Sequence, residues 1–456
     1  MLRCLLYKLV LFLPFTGVLI PNNVLAQSQV PQQGISGKAD LNTCIAYALV
    51  HQPLVQKLQI RDDISRRDMG IALSEWFPQV DVAVGFQQYL RQPVSIFPDF
   101  NNPSGPKREI TTGVKNTSSV QLSASQFLFN PDVIFAGRSA GYYRRQSSQT
   151  IRKRTIDLVV QLSKAFYDVL LTEARQGLLV EDLSRIDKSM KDAQSQYESG
   201  ISDKIDYQRA MISMNNIRAE MTGTASEIKA KRAYLKELMG YPADVPITVF
   251  CDSLQMIQDS WVDTTRELRV RNRIEYQLLL TNLNLQRSTV GYYRNRFLPS
   301  LSAYANYNLI YQNDDFGTLY DRDFPNSSVG LRLSMPLFQG TKRIQQLKRA
   351  NLLYTEMALD TLVLKNSINT AYEEALASYK SNLKALDAAR ENARIASEIY
   401  STVRLQYNQG IKSYLEVIVS EADLRASRIN ALNALYRLLS SKLDVETALG
   451  NISVNY

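Results

Sequence analysis

The chain states one plan twice. Trp76-Phe77-Pro78-Gln79-Val80-Asp81-Val82 reappears as Arg296-Phe297-Leu298-Pro299-Ser300-Leu301-Ser302, and each opens an alternating run. Tyr197-Glu198-Ser199-Gly200-Ile201 reappears as Tyr407-Asn408-Gln409-Gly410-Ile411, and Leu238-Met239-Gly240 as Ala448-Leu449-Gly450. A unit of about two hundred residues is far longer than the solenoid repeats of roughly 20–50 residues. It points to duplication of a whole structural unit and a protomer with internal pseudo-symmetry. Pro78 and Pro299 stand 221 residues apart, but Phe129 and Phe338 only 209. The first copy therefore carries an insertion of about twelve residues between 91 and 117. That stretch is rich in Pro, Asn and Gly and reads as a surface loop, where extra length costs little.

Between the echoes the apolar pattern is helical. Residues 41–75 predict a first helix, with Leu41, Ile45, Ala48, Leu49, Ala72 and Leu73 at helical spacing and an interruption near Pro53. A very long helix is expected over 133–198, broken at Gly200, with a partner over 203–239; the second copy repeats this as 263–296, 341–408 and 413–449, broken at Gly410. In the second long helix Tyr372, Tyr379, Leu386, Ala393, Tyr400 and Tyr407 recur every seven residues, with Ala375, Asn382, Ala389, Ala396 and Val403 between them. This is an a/d seam. Its counterpart in the first copy is Leu162, Val169, Gln176, Leu183, Met190 and Tyr197, with Ala165, Thr172, Leu179, Ile186 and Ala193. A helix of ~65 residues is ~100 Å long at 1.5 Å per residue. Such a rod with a narrow, alanine-rich stripe cannot wrap a globular core and must lie against equal rods.

The strands exclude a plain coiled coil. Segments at about 79–91, 117–127, 300–312 and 327–337 alternate apolar with largely polar residues: Val80, Val82, Val84 and Phe86 in the first, Val329, Leu331, Leu333 and Met335 in the last. Each is long enough to cross a bilayer as a tilted strand, or to lie half-buried in a soluble sheet. Four strands are too few to close a barrel, and open edges cannot face lipid. Three copies would supply twelve strands, an even number in the allowed range.

Arg3 and Lys8 precede an apolar run from Leu9 to Ile20, followed by Val24-Leu25-Ala26. Residues 1–26 thus read as a secretory signal peptide, too short in its apolar run to span the hydrocarbon core as a helix. Cys4 falls inside it, so no lipid-anchored cysteine is expected at the mature N-terminus; Cys44 and Cys251 remain, reduced or paired. The formal charge of +9 is spread among acids along the helices without a dense basic run, which argues against nucleic acid. The single histidine, His51, has no nucleophile or metal cluster beside it, and no phosphate-binding Gly-Lys loop is present. No catalytic, cofactor or metal site is expected, and the chain does not read as an enzyme. The division expected is a first structural repeat over 27–240, a linker over 241–262, a second repeat over 263–450 and a tail over 451–456.

In order and spacing the chain resembles the TolC-type outer-membrane efflux family. The signal peptide and the duplicated helix–strand–strand–helix–helix unit carry the likeness. So do Phe77-Pro78 and Leu298-Pro299 opening strands, Pro336-Leu337-Phe338-Gln339-Gly340 closing the last, and the Tyr197-x-x-Gly200 and Tyr407-x-x-Gly410 tips. The first copy departs at Phe127-Leu128-Phe129-Asn130-Pro131, which lacks the Pro and Gly of the second. The resemblance implies a mainly α protein with a small β part: a homotrimer with a twelve-stranded β-barrel in the outer membrane, continued by a twelve-helix periplasmic tunnel. It implies a passive exit duct in a tripartite efflux system, partnered by a periplasmic adaptor protein and an inner-membrane pump, with outer-membrane lipid around the barrel. A duct for a type I protein-secretion exporter is the near alternative, and a non-pore periplasmic coiled-coil scaffold the distant one.

Function is expected at the turns furthest from the membrane. Gly200 and Gly410 permit tight reversals, and Ile201, Ser202, Ile411 and Lys412 beside them are candidate adaptor contacts. An acid follows each glycine by six residues, Asp206 and Glu416. In the resembled family, acids of the second tip line the constriction. Glu416 matches that position, a further family acid is replaced by Val419, and Asp423 a turn later is a third candidate. A ring of three such carboxylates would attract cations and hold a proton more tightly than a free glutamate.

Overall fold

A computed structural model describes residues 35, 37–97, 107–200, 203–251, 256 and 260–453; the signal peptide expected at 1–26 lies outside them. The first copy begins with a short strand β1 (Lys38–Ala39), helices α1 (Leu41–His51) and α2 (Pro53–Ser74), and strand β2 (Gln79–Gln88). It continues with β3 (Val94–Phe97), β4 (Arg108–Thr111) and β5 (Asn116–Phe129), then the rods α3 (Pro131–Glu198) and α4 (Lys204–Met239). After β6 (Thr248–Val249) and a 3₁₀ turn at Val270–Asn272 come α5 (Ile274–Asn295), β7 (Ser300–Asn313), β8 (Asp323–Ser334), α6 (Lys342–Asn408) and α7 (Tyr414–Leu449).

Local chemistry sets the boundaries. Pro53 cannot donate a backbone hydrogen bond, so α1 stops at His51 and α2 restarts with Pro53 in its first turn. Asp40 caps α1, accepting from the Thr43 N–H at 2.8 Å, and Asn130 caps α3, accepting from the Asp132 N–H at 2.8 Å with Pro131 just inside. Gly240 ends α4 at φ 65°, and a Cβ there would sit 2.7 Å from the His51 carbonyl oxygen. His51 itself is structural: its ring stacks on Tyr47 at 4.0 Å and its Nδ1 lies 3.1 Å from the Tyr47 carbonyl.

Four strands form one antiparallel sheet in the order β2-β5-β7-β8, leaving one edge of β2 and one of β8 unpaired among the described residues. The register sorts the side chains. On one face Val80, Val82 and Val84 lie level with Ala124, Leu122 and Val120, and these with Ala305, Tyr307 and Leu309. Leu301, Ala303 and Ala305 then pair with Leu333, Leu331 and Val329. The other face carries Asp81, Ser123, Asn306 and Ser328 in one row and Ala83, Gln121, Asn308 and Asn326 in the next. The apolar face is open in the single chain: Val84 is 73% exposed and Val329 83%.

The helices extend this order. α2 runs into β2, β5 into α3, α5 into β7 and β8 into α6, and α2 packs on α3, α3 on α5 and α5 on α6. Further along, α3 pairs with α4, and α6 with α7. The two flanks of the layer keep bare apolar faces, Ile60, Ile64 and Ile71 on α2 and Leu352, Leu359, Leu362 and Val363 on α6. The heptad seam of the first copy is closed, with Ala165, Thr172, Leu179, Ile186 and Ala193 all buried. No described helix is long and apolar enough to cross a membrane.

The main core lies midway along the rods. Cys44, Ile45 and Ala48 of α1 meet Leu162, Phe166 and Val169 of α3 and Leu235 and Met239 of α4. A second core gathers Tyr372, Tyr379 and Leu386 of α6 with Leu438, Val445 and Leu449 of α7. Here the seam tyrosines do more than pack. The Tyr379 hydroxyl donates to the Ser260 carbonyl at 3.0 Å and accepts from the Val262 N–H at 3.1 Å, and Tyr372 donates to the Arg266 carbonyl at 2.7 Å.

Two expectations are corrected. The helix predicted from 263 begins at Ile274, because these tyrosine hooks and a guanidinium bond from Arg273 to the Thr447 carbonyl hold the preceding segment against α6 and α7. The insertion is not plain loop either: β3 and β4 pair as a hairpin, Val94 opposite Thr111 and Phe97 opposite Arg108.

Candidate functional site

At the far ends of the rods the two turns are built alike. Gly200 adopts φ 74° and Gly410 φ 77°, and each donates its N–H to the carbonyl of the tyrosine three residues earlier at 2.9 Å. Side chains other than glycine rarely take that backbone. Asp203 caps α4, and Ser413 caps α7 in a capping box completed by Glu416.

Glu416 is therefore engaged locally. It accepts from Lys412 Nζ at 2.9 Å and from the Ser413 N–H at 3.2 Å. The Lys412 hydrogen bond, with help from the Ser413 N–H, holds its carboxyl below the ordinary glutamate range. The expectation of a tightly held proton is thus reversed within one chain. Asp206 sits in the first turn of α4, 3.8 Å from Arg209, and its charge raises the pKa of Tyr407 in the opposite turn, secondary to burial. Asp423 is exposed on α7. Ile411 is exposed beside Gly410, while Ile201 and Ser202 lie outside the described residues.

The two turns are fastened to each other. Ala193 and Ala210 of the first copy pack with Tyr414 and Val417 of the second, with Met190, Tyr400 and Tyr407 around them. Tyr407 donates to Gln196 Oε1 at 2.9 Å, and Arg404 reaches across from α6 to Ser189 Oγ at 2.6 Å and Asp192 at 3.6 Å.

Further from the tip lies an ionic cluster that sequence reading missed. Glu421 of α7 is 3% exposed and stands 3.7 Å from Arg185 of α3, which also pairs with the buried Asp182. Arg428 reaches Glu181 at 3.6 Å. Burial pushes the Glu421 carboxyl above its ordinary range, opposed by Arg185, Arg404 and Arg425. The signal was present: Val417, Glu421, Leu424 and Arg428 are spaced four, three and four apart, so a carboxylate and a guanidinium occupy seam positions.

This geometry is mechanical rather than chemical. Among the described residues no group of histidine, cysteine and acidic side chains could hold a metal ion, and Cys44 is a buried thiol. Burial raises the Cys44 thiol to about 12.

Comparison with known proteins agrees with the architecture. The profile of the outer membrane efflux protein family matches residues 44–241 and 278–451. The solvent efflux pump outer membrane protein SrpC of Pseudomonas putida is 27% identical over 290 residues, covering 61% of this chain and 58% of SrpC, less than two thirds of its length. The outer membrane protein TolC of Vibrio cholerae is 19% identical over 356 residues, covering 74% of this chain and 77% of TolC. The solved structure of VceC from Vibrio cholerae superposes with a TM-score of 0.70 at 16% identity, covering 90% of this chain and 96% of VceC. At that identity the likeness is one of fold.

Proposed function

This chain belongs to the outer membrane efflux protein family, and on that premise we propose that it is the outer-membrane duct of a tripartite efflux assembly. In this reading it is not an enzyme. It gives passive exit to small molecules delivered by an inner-membrane pump, and a periplasmic adaptor meets the turns at Gly200 and Gly410.

The observation that carries the proposal is the unfinished sheet. One face is apolar, the other polar, both outer edges are unpaired, and the helix layer continues the same order with apolar flanks on α2 and α6. Unpaired backbone cannot face hydrocarbon, so the sheet must close on copies of itself. Three copies, β8 of each against β2 of the next, give twelve strands and a matching ring of helices. The repeats over 27–240 and 263–450 then supply alternate sectors. The apolar face meets lipid and the polar face lines the lumen. That lining is mostly amide and hydroxyl, as at Gln121, Ser123, Asn306, Asn308 and Asn326, so the barrel wall imposes little charge selection. Selection by charge falls to the periplasmic end, where Glu416 and Asp206, with Asp423 beyond, are the aperture acids of this reading.

The test is reconstitution of the purified protein in a planar bilayer. Discrete conductance steps that need no nucleotide are expected. A protein that inserts stably yet never conducts contradicts the duct.

A further inference from the structure

The strongest unassigned feature is a basic cleft midway along the rods. Between 266 and 273 the chain carries Arg266, Arg269, Arg271 and Arg273 with a single acid, Glu267. Arg273 is used internally, on Glu275 and the Thr447 carbonyl. Arg269 and Arg271 are exposed, and neither side chain has a hydrogen bond or ion pair among the described residues; nor has Lys365 of α6. These three cations, with Asn272 and Tyr276, line one cleft of about 460 Å³ whose lining includes no carboxylate among the described residues. A neighbouring cleft of about 440 Å³ shares Arg269 and Asn272 and adds Arg266 together with the acid Glu267. Several arginines on the rods are instead spent on acids, as in Arg175–Glu220, Arg232–Glu173 and Arg394–Glu391. Three cations gathered around a concavity repel one another and stabilise nothing in the chain. An anion between them reverses the sign of that interaction.

Position along the rod selects the anion. Lys365 lies 23 residues into α6, about 35 Å from the strand end at 1.5 Å per residue. The headgroup layer reaches only about 5–8 Å beyond the hydrocarbon core, so membrane phosphates do not extend to the cleft. The tyrosine hooks and the Arg273 bonds lay this segment over α6 and α7 as an added layer. In a closed ring three such layers would obstruct the lumen, so the cleft faces outward.

We propose that this cleft binds the free carboxylates of cell-wall peptide stems, tethering the rod where it passes through the wall. The inference rests on the reading of the chain as a trimeric periplasmic duct. Guanidinium groups pair with carboxylates in a planar two-point fashion that suits Arg269 and Arg271. A trimer offers three equivalent clefts to a polymer with repeating carboxylates, so weak single contacts sum to firm retention.

The test is co-sedimentation of the detergent-purified full-length protein with purified sacculi at physiological salt. Three further samples are run: sacculi stripped of peptide stems by an amidase, the variant R269E/R271E/K365E, and the control K229E/K380E/K384E. The wild type and the control should pellet with intact sacculi. The cleft variant should be retained about tenfold less, given three sites acting together, while remaining a conducting trimer, and stripped glycan should retain nothing. Equal retention of the cleft variant overturns the proposal, as does equal retention on stripped glycan. A conducting trimer that never pellets also overturns it and leaves the duct reading standing. A wild type that is neither trimeric nor conducting sinks the duct reading instead, and this proposal with it.

Discussion

Glu416 shows how much a residue's role depends on its immediate partners. Its carboxylate closes a capping box and pairs with Lys412, which favours its ionised form, and in the proposed duct that charge would face passing cations. Glu416→Ala should therefore lower cation preference in a planar bilayer without preventing assembly; unchanged selectivity in an inserted channel would remove Glu416 from the aperture. Glu421 behaves in the opposite sense. Burial raises its pKa in the folded state, so the folded protein binds the proton more tightly than the unfolded chain. The stability associated with that proton is fully present below the unfolded carboxyl pKa and is lost as pH rises through the folded value. Glu421→Gln keeps the shape and removes the ionisation. Its melting temperature should exceed that of the wild type at neutral pH, by about 2 °C on the scale expected for a large chain, and the gain should vanish near pH 4. A lower melting temperature at neutral pH would show that the pairing with Arg185 outweighs the burial of the charge.

At the scale of elements the rods were legible because their signals are long and redundant. The helices read as 133–198, 203–239, 341–408 and 413–449 fall within two residues of those observed, since Pro131, Gly200, Gly240, Gly410 and Gly450 mark their ends. The start of α5 was not legible, because Tyr372 and Tyr379, about a hundred residues away, decide it through hydroxyl bonds that no local pattern reports. The ionic cluster was missed for a similar reason: Asp182 and Arg185 pair within α3, but Glu421 joins them only when α3 and α7 pack together. Tyr379→Phe should leave the Ser260 carbonyl and the Val262 N–H without their shared partner. A loss of about 1–3 kcal/mol is expected, seen as faster limited proteolysis between 260 and 273; an unchanged cleavage rate would mean that packing alone holds the segment. The sheet makes a sharper demand. Val82 lies on the apolar face, opposite Leu122, and Ser123 on the polar face, opposite Asp81. Val82→Lys should cost about 2–4 kcal/mol if the site lies near the bilayer midplane and lower the yield of membrane-inserted protein, while Ser123→Lys should insert normally. Equal yields would contradict the assignment of faces.

For the whole molecule, duplication and incompleteness belong together. Each copy supplies a strand pair and a pair of rods, and two copies in one chain still leave a sheet with two open edges. The same incompleteness recurs in the helix layer, where α2 and α6 expose isoleucine and leucine faces that nothing among the described residues covers. Both defects lie on the same two sides of the protomer, so in the proposed trimer one rotation about a common axis would repair both, closure by identical neighbours being the ordinary outcome for such a head-to-tail contact. In the proposed trimer the mid-rod cores and the fastened turns would repeat around that axis, and the aperture would be a property of the ring rather than of any one chain. The central claim is that three chains make one barrel and one tunnel, and the mass of the intact particle in mild detergent tests it most directly. A particle of three times the mature chain mass, retaining its strand and helix content, is the expected result; a stable, fully folded monomer, with the edges of β2 and β8 left open, would contradict it.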